Sequence, residues 1–94
     1  MSHVLVRLSV EDFARWKPVF DEFAALRASM GSKGGRLFRK NDDPNEVVIV
    51  FEWSDHDKAR QYFQSDELRQ GMQRAGVSGR PEVIYLDALE HLSV

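Results

Sequence analysis

The sequence predicts an α+β protein with a ferredoxin-like fold, in which helices cover one face of a single antiparallel sheet. Two observations lead to this prediction. Segments with strand and helix periodicity follow one another in the order β-α-β-β-α-β. The chain has only 94 residues, 43% of them hydrophobic, which suits one domain over residues 1–94. Short hairpins and right-handed crossovers turn that order into the ferredoxin-like arrangement.

The first strand and the first helix follow from two different periodicities. Apolar side chains alternate over residues 3–8, which is typical of a strand. Ser9 is the predicted N-cap of the helix, because acidic residues that favour a helix start follow it. An apolar helical stripe then spans residues 13–30. Pro18 lies inside this stripe and predicts a kink or a restart of the helix, and Gly31 predicts its end.

A hairpin is predicted in the middle of the chain. Residues 34–40 form its first strand, and the clearest strand of the sequence, residues 46–53, forms its second. Residues 41–45, Asn-Asp-Asp-Pro-Asn, are rich in turn formers and predict the loop between the strands.

The last helical region is predicted in two pieces. Ser54 caps a helix that continues to about residue 64, and Ser65 caps another that ends before Gly76. Pro81 prevents further helix, so the fourth strand is predicted over residues 82–89.

Both faces of the predicted sheet are apolar at its centre. In the third strand, Val47, Ile49, Phe51 and Trp53 face one way, and Val48 and Val50 face the other. In the fourth strand, Val83 and Tyr85 oppose Ile84 and Leu86. Helices cover only one face, and soluble monomers rarely leave a large apolar patch uncovered. We therefore expect a homodimer that pairs through the sheet faces. The alternative is that the C-terminal segment folds back over the open face.

Composition excludes several classes of function. The net charge of −2 argues against a nucleic-acid partner, and aliphatic first and third strands do not suit an RNA-recognition module. With no cysteine and three histidines that lack ligand spacing, no metal site is expected. No segment has the length of a membrane span or the pattern of a signal peptide, so we expect a cytoplasmic protein with no membrane partner.

Residues 47–75 carry a resemblance to a known family. A hydrophobic strand ends in Phe51-Glu52-Trp53-Ser54, an amphipathic helix follows, and Ser65-Asp66-Glu67-Leu68 opens a further helix. This order resembles the antibiotic biosynthesis monooxygenase family, within the dimeric α+β barrel superfamily. A weaker pattern in the first helix, Asp12-Phe13, Trp16-Lys17, Phe20, Arg27 and Gly31, is similar to small members of the superfamily. The resemblance implies two ferredoxin-like halves that pair through their sheets.

The family includes cofactor-independent oxygenases of quinols and polyketide phenols, and haem-degrading enzymes. Tyr62 stands where many of the oxygenases carry a histidine. Met72 stands where the haem degraders have their iron-binding histidine, and the asparagine of their first strand has no counterpart at Arg7 or Leu8. The resemblance therefore implies no haem, and we expect no cofactor.

A ligand site of this fold would lie between the helices and the sheet. Tyr62 and Arg27 are the candidate catalytic residues, because a phenol and a guanidinium can stabilise a phenolate. The candidate ligand-binding residues are Trp16, Phe20, Phe23, Trp53, Phe63, Met72 and Tyr85. The alternative is that the aromatic residues form an ordinary core. Arg27 could likewise extend along the helix to reach solvent.

Two functions remain open at this point. The first is binding of a small aromatic or polyketide-like molecule, with cofactor-independent oxygenation of a phenol or quinol. The second is a non-catalytic dimer that binds ligands or has a structural role.

Overall fold

The computed structural model describes residues 2–94 and contains a four-stranded antiparallel sheet with helices on one face. The strands are β1 (Ser2–Val10), β2 (Ser32–Lys40), β3 (Asp43–Trp53) and β4 (Val77–Asp87), and their order in the sheet is β2-β3-β1-β4. The helices are α1 (Phe13–Glu22), α2 (Ala24–Ser29), α3 (His56–Phe63) and α4 (Asp66–Arg74). This arrangement confirms the ferredoxin-like prediction.

The first helix begins later than predicted. Ser9 is not its N-cap, because β1 continues through Val10 and Ser9 pairs with Ser78 of β4. Asp12 is the N-cap instead, and its carboxylate accepts a hydrogen bond from the amide of Ala14 at 3.0 Å. Long-range strand pairing has therefore displaced a local helix signal.

The helical stripe breaks at Phe23 rather than at Pro18. Pro18 lies inside α1, where it removes a single amide donor, and the helix continues past it. The amide of Phe23 donates a hydrogen bond to the carbonyl of Phe20 at 3.2 Å, and α2 starts at the next residue. The carbonyl of Phe20 also accepts a hydrogen bond from Arg27 Nη1 at 2.9 Å. The break thus holds the Arg27 guanidinium against the end of α1.

In the second helical region one predicted cap is correct and one is displaced. Asp55, not Ser54, caps α3, and its carboxylate accepts from the amide of Lys58 at 2.7 Å. Ser65 caps α4 as predicted, with its hydroxyl accepting from the amide of Leu68 at 3.3 Å. Gly76 ends that helical region with a φ of 77°, a conformation that glycine adopts without strain.

The outer strands also differ from their predicted bounds. β4 starts at Val77, so Pro81 lies inside a strand instead of before one. Proline is tolerated there because β4 is an edge strand and its pairing with β1 is irregular between Arg7 and Ser9. The hairpin loop is shorter than expected, since β3 already begins at Asp43.

The helices and one sheet face enclose the hydrophobic core. Alternate residues of β1 and β3 point into it, and each of them is at least nine-tenths buried: Val4, Val6, Leu8, Val10, Val47, Ile49, Phe51 and Trp53. This is the alternation that predicted the strands.

The opposite face carries the expected apolar surface. We call it the open-face patch, and its members are Leu5, Phe38, Val48, Val50, Ile84 and Leu86. Ile84 is 40% exposed and Phe38 is 42% exposed. The C-terminal segment does not cover this patch, because it has no regular structure and its Leu89 is 93% exposed. The alternative in which that segment folds back over the sheet is therefore wrong.

Across residues 2–94, the structure contains no helix with the length and apolarity that a membrane crossing needs.

Candidate functional site

A cavity of about 520 Å³ lies between the helices and the covered face of the sheet. Its floor comes from β1, β3 and β4, and its walls come from all four helices. The side chains that matter to its chemistry are Trp16, Phe20, Phe23, Arg27, Phe51, Tyr62, Phe63, Arg69, Met72 and Arg80. An apolar cavity with a few polar groups is the usual form of a small-molecule site.

Aromatic rings form much of the wall. Trp16 and Phe20 lie one helical turn apart on α1 and stack with a centroid distance of 4.8 Å and an interplanar angle of 25°. Phe51 on β3 contacts both Phe20, at 6.3 Å, and Phe63, at 5.9 Å. Flat aromatic surfaces of this kind suit an aromatic ligand.

Arg27 is buried at this cavity. Only 8% of the residue is exposed, and its guanidinium lies 4.0 Å from the centroid of the Phe20 ring and 5.7 Å from that of Phe51. Within residues 2–94 no carboxylate forms an ion pair with it. The guanidinium therefore points into the site rather than toward solvent, and its charge has no anionic partner there.

Tyr62 lies beside Arg27 and is only 2% exposed. Burial raises the pKa of its phenol above the usual 10, and the neighbouring Arg27 guanidinium partly opposes that rise. The phenol consequently keeps its proton at neutral pH. Together the two side chains offer a cation and a neutral hydrogen-bond donor to one oxyanion.

The structure brings seven of the nine predicted site residues to this cavity. They are Trp16, Phe20, Phe23, Arg27, Tyr62, Phe63 and Met72. Trp53 does not line it: the residue is 1% exposed, and its indole Nε1 donates to the carbonyl of Met30 at 2.8 Å. Tyr85 is also absent from the lining and contacts His56 and Arg60 instead. A ligand contact for these last two residues stays a prediction.

Sequence reasoning missed three features of the cavity. Arg80 lines it from the part of β4 that precedes the predicted strand, and Arg69 lines it from α4. Gly71 of α4 lets the ring of Phe23 pack directly on the helix backbone, since a Cβ there would overlap that ring. A charged residue in a segment without clear periodicity carries no signal of the face on which it will lie.

The chemistry available to the site follows from its lining. No carboxylate and no histidine of residues 2–94 borders the cavity. In the same residues no three histidine, cysteine, aspartate or glutamate side chains form a cluster that could hold a metal ion. The described lining can orient an aromatic molecule, exclude water from it and stabilise negative charge on it.

Comparison with known proteins agrees with this fold. Residues 1–74 match the model of the family described as antibiotic biosynthesis monooxygenase. This range includes Arg27, Tyr62 and Met72, whereas Arg80 lies beyond it. No curated protein sequence matches the chain.

Several solved structures resemble the whole chain. SnoaB, a cofactor-independent oxygenase from Streptomyces nogalater, superimposes with a TM-score of 0.78 and 24% identity, over 99% of this chain and 97% of SnoaB. A candidate antibiotic biosynthesis monooxygenase from Bordetella bronchiseptica superimposes with a TM-score of 0.79 and 16% identity, over 95% of this chain and 97% of that protein. Another candidate monooxygenase of this kind, from Caulobacter crescentus, superimposes with a TM-score of 0.74 and 22% identity, over 95% of this chain and 90% of that protein. These neighbours share the fold, and the family match covers more than half of the chain. The chain belongs to the antibiotic biosynthesis monooxygenase family.

Proposed function

We propose that this protein binds a small phenol or quinol in the cavity and oxygenates it without a cofactor. The observation that carries the proposal is the buried Arg27 and Tyr62 pair in an aromatic cavity whose described lining holds no carboxylate. Membership of the family supports it, as does the likeness to SnoaB, which is itself a cofactor-independent oxygenase.

The proposed role of the protein is to favour the phenolate form of the ligand. Arg27 supplies a positive charge from a buried position, where such a charge acts more strongly than in solution. Tyr62 donates a hydrogen bond to the same oxygen, because the raised pKa keeps its phenol protonated. The stacked rings of Trp16 and Phe20 hold the plane of the ligand.

The reaction then needs only the ligand and dioxygen. The phenolate gives one electron to O₂, and superoxide combines with the ring-carbon radical para to the oxygen, forming a hydroperoxide after proton uptake. This carbon loses its hydrogen while the O–O bond breaks, and water leaves. One oxygen atom remains as a carbonyl and the other becomes water, so a phenol and O₂ yield a quinone and H₂O. The substrate supplies every electron.

Oxygen uptake tests this proposal directly. With 1-naphthol, the protein without additives should consume one O₂ for each 1,4-naphthoquinone formed, and ¹⁸O₂ should place one labelled atom in the product. The matched substrate 4-methyl-1-naphthol should give no quinone, because its para carbon carries no hydrogen to lose. Absence of uptake with a panel of naphthols and hydroquinones that bind in the cavity would favour the second function, a non-catalytic ligand-binding protein.

The pH dependence of kcat should reflect the ionisation of the substrate. Since no acid or base of the described residues borders the cavity other than Tyr62, we expect kcat to rise with pH through the pKa of the bound phenol. A more acidic substrate, 2-chloro-1-naphthol, should move the rise to lower pH. An unchanged midpoint for both substrates would instead indicate a protein base.

The stability of the fold should depend on the ionisation of Tyr62 only at high pH. The free energy of unfolding should be insensitive to Tyr62 below pH 10 and fall above it, because the unfolded chain then loses a proton that the folded chain retains.

We also propose that the partner is a second copy of the chain, bound through the open-face patch. The exposed Ile84 and Phe38 and the uncovered sheet face support this pairing, as does the family resemblance. Light scattering after size exclusion should give about twice the chain mass of 10.8 kDa, and Ile84→Lys should give a monomer. A wild-type mass near that of one chain at micromolar concentration would contradict the dimer.

A further inference from the structure

The cavity is strongly basic although the whole chain has a net charge of −2. Three arginines line it, and none of its described lining residues is acidic. Arg69 has a carboxylate partner, since it forms an ion pair with Asp66 on the surface of α4. Within residues 2–94 neither Arg27 nor Arg80 forms an ion pair. Two positive charges of the site are thus left for a ligand.

These two arginines lie beside different parts of the sheet. Arg27 lies over Phe51, which pairs with Val4 of β1. Arg80 lies in the stretch of β4 that passes Leu8, where the pairing with β1 is irregular. Val4 and Leu8 are four residues apart on one strand, which corresponds to about 13 Å. The two arginines are thus anchored at different levels of the sheet.

The backbone gives Arg80 its unusual position. Arg7 pairs with Glu82 and Ser9 with Ser78, so three residues of β4 lie opposite one residue of β1, Leu8. Gly79 adopts a φ of 68° within this irregularity. As a result, Arg80 borders both the main cavity and a small polar groove of about 290 Å³ on the same strand. In that groove Glu46 is already bound by Arg7 at 2.8 Å and by the Ser9 hydroxyl at 2.6 Å. Glu82 lines the same groove but forms no ion pair with Arg80.

We infer that the ligand of this site is an aromatic hydroxy acid, and that Arg80 determines specificity by binding its carboxylate. The phenol end lies against Arg27 and Tyr62, the rings fill the apolar middle of the cavity, and the carboxylate reaches Arg80 at the mouth. This inference rests on the proposed function for the location of the aromatic ligand, but it does not depend on oxygenation. A guanidinium binds a carboxylate with two parallel hydrogen bonds, which makes it selective for that group.

Equilibrium binding tests the assignment with probes that differ only at one end. Calorimetric titration of the protein should give a dissociation constant for 6-hydroxy-2-naphthoate about tenfold or more below that for its methyl ester. Arg80→Gln should remove this difference by weakening the binding of the acid. Arg74→Gln is the matched control, because it removes the same charge from an exposed residue that pairs with Glu22 outside the cavity. It should keep the preference for the acid.

Each outcome separates this inference from the proposed oxygenation. A preference for the acid that depends on Arg80 supports the inference even if no naphthol is oxidised. Equal affinities for acid and ester, or a preference that survives Arg80→Gln, would overturn it even if oxygenation occurs. Failure of both probes to bind would overturn it as well.

Discussion

Replacing Trp53 with alanine should lower the free energy of unfolding by about 3–5 kcal/mol, the range for truncation of a large buried aromatic residue. Its indole is 1% exposed and lies against the rings of Phe51, Tyr62 and Phe63, with centroid distances of 5.3–5.6 Å. Alanine would leave a void among these rings, and it would remove the donor to the Met30 carbonyl. Because Tyr62 and Phe63 border the cavity, the loss of packing should also loosen the site.

Chemical denaturation followed by circular dichroism measures this effect. All variants are compared at the same protein concentration, because the stability of a dimer depends on protein concentration. Trp53→Phe is the matched variant, because it keeps an aromatic ring but loses the hydrogen bond. It should lower the free energy of unfolding by about 1–3 kcal/mol. A loss below 1 kcal/mol for the alanine variant would show that Trp53 is not a packing anchor. The predicted role of Trp53 as a ligand contact would then be favoured again over a packing role.

Replacing Arg27 with methionine should lower kcat for oxygenation by about 10²-fold or more, the usual effect of removing one group that stabilises a developing oxyanion. Methionine has a similar length and remains compatible with the Phe20 and Phe51 rings, whereas the charge is lost. Folding should persist, since the Phe20 carbonyl still accepts a hydrogen bond from the amide of Phe23. Binding of phenolates should weaken together with kcat.

Arg27→Lys controls for charge without the planar guanidinium and should retain part of the activity. Turnover is measured by oxygen uptake, and folding is checked by circular dichroism and by the oligomer mass. Wild-type turnover in a folded Arg27→Met variant would exclude Arg27 from the chemistry.

The predicted fold depended on signals that are local in the chain. Alternation in β1 and β3 identified the strands and revealed that both sheet faces are apolar, and Ser65 and Gly76 marked the ends of a helix correctly. The same kind of signal was wrong at Ser9, and the restart expected at Pro18 lies at Phe23 instead. Ser9 pairs with β4, and the helix continues past Pro18, because tertiary contacts outweigh caps and single proline effects of about 1–3 kcal/mol.

The candidate site was only partly accessible from the sequence. Helical spacing placed Phe20, Phe23 and Arg27 on one stripe, and the structure brings all three to the cavity. The same spacing could not show whether the guanidinium turns inward. That was decided by the break at Phe23, which leaves the Phe20 carbonyl available as an acceptor for Arg27.

The sequence by itself determined the order of the elements, the surplus of apolar surface and the absence of cysteine chemistry, because these depend on composition and on periods of two and 3.6 residues. Only the tertiary structure decided that Trp53 packs in the core and that Arg80 reaches the cavity. Both depend on register: Trp53 pairs with Ser2 at one end of the sheet, and Arg80 lies where three residues of β4 oppose one of β1. Register is a relation between distant segments, and a single segment carries no record of it.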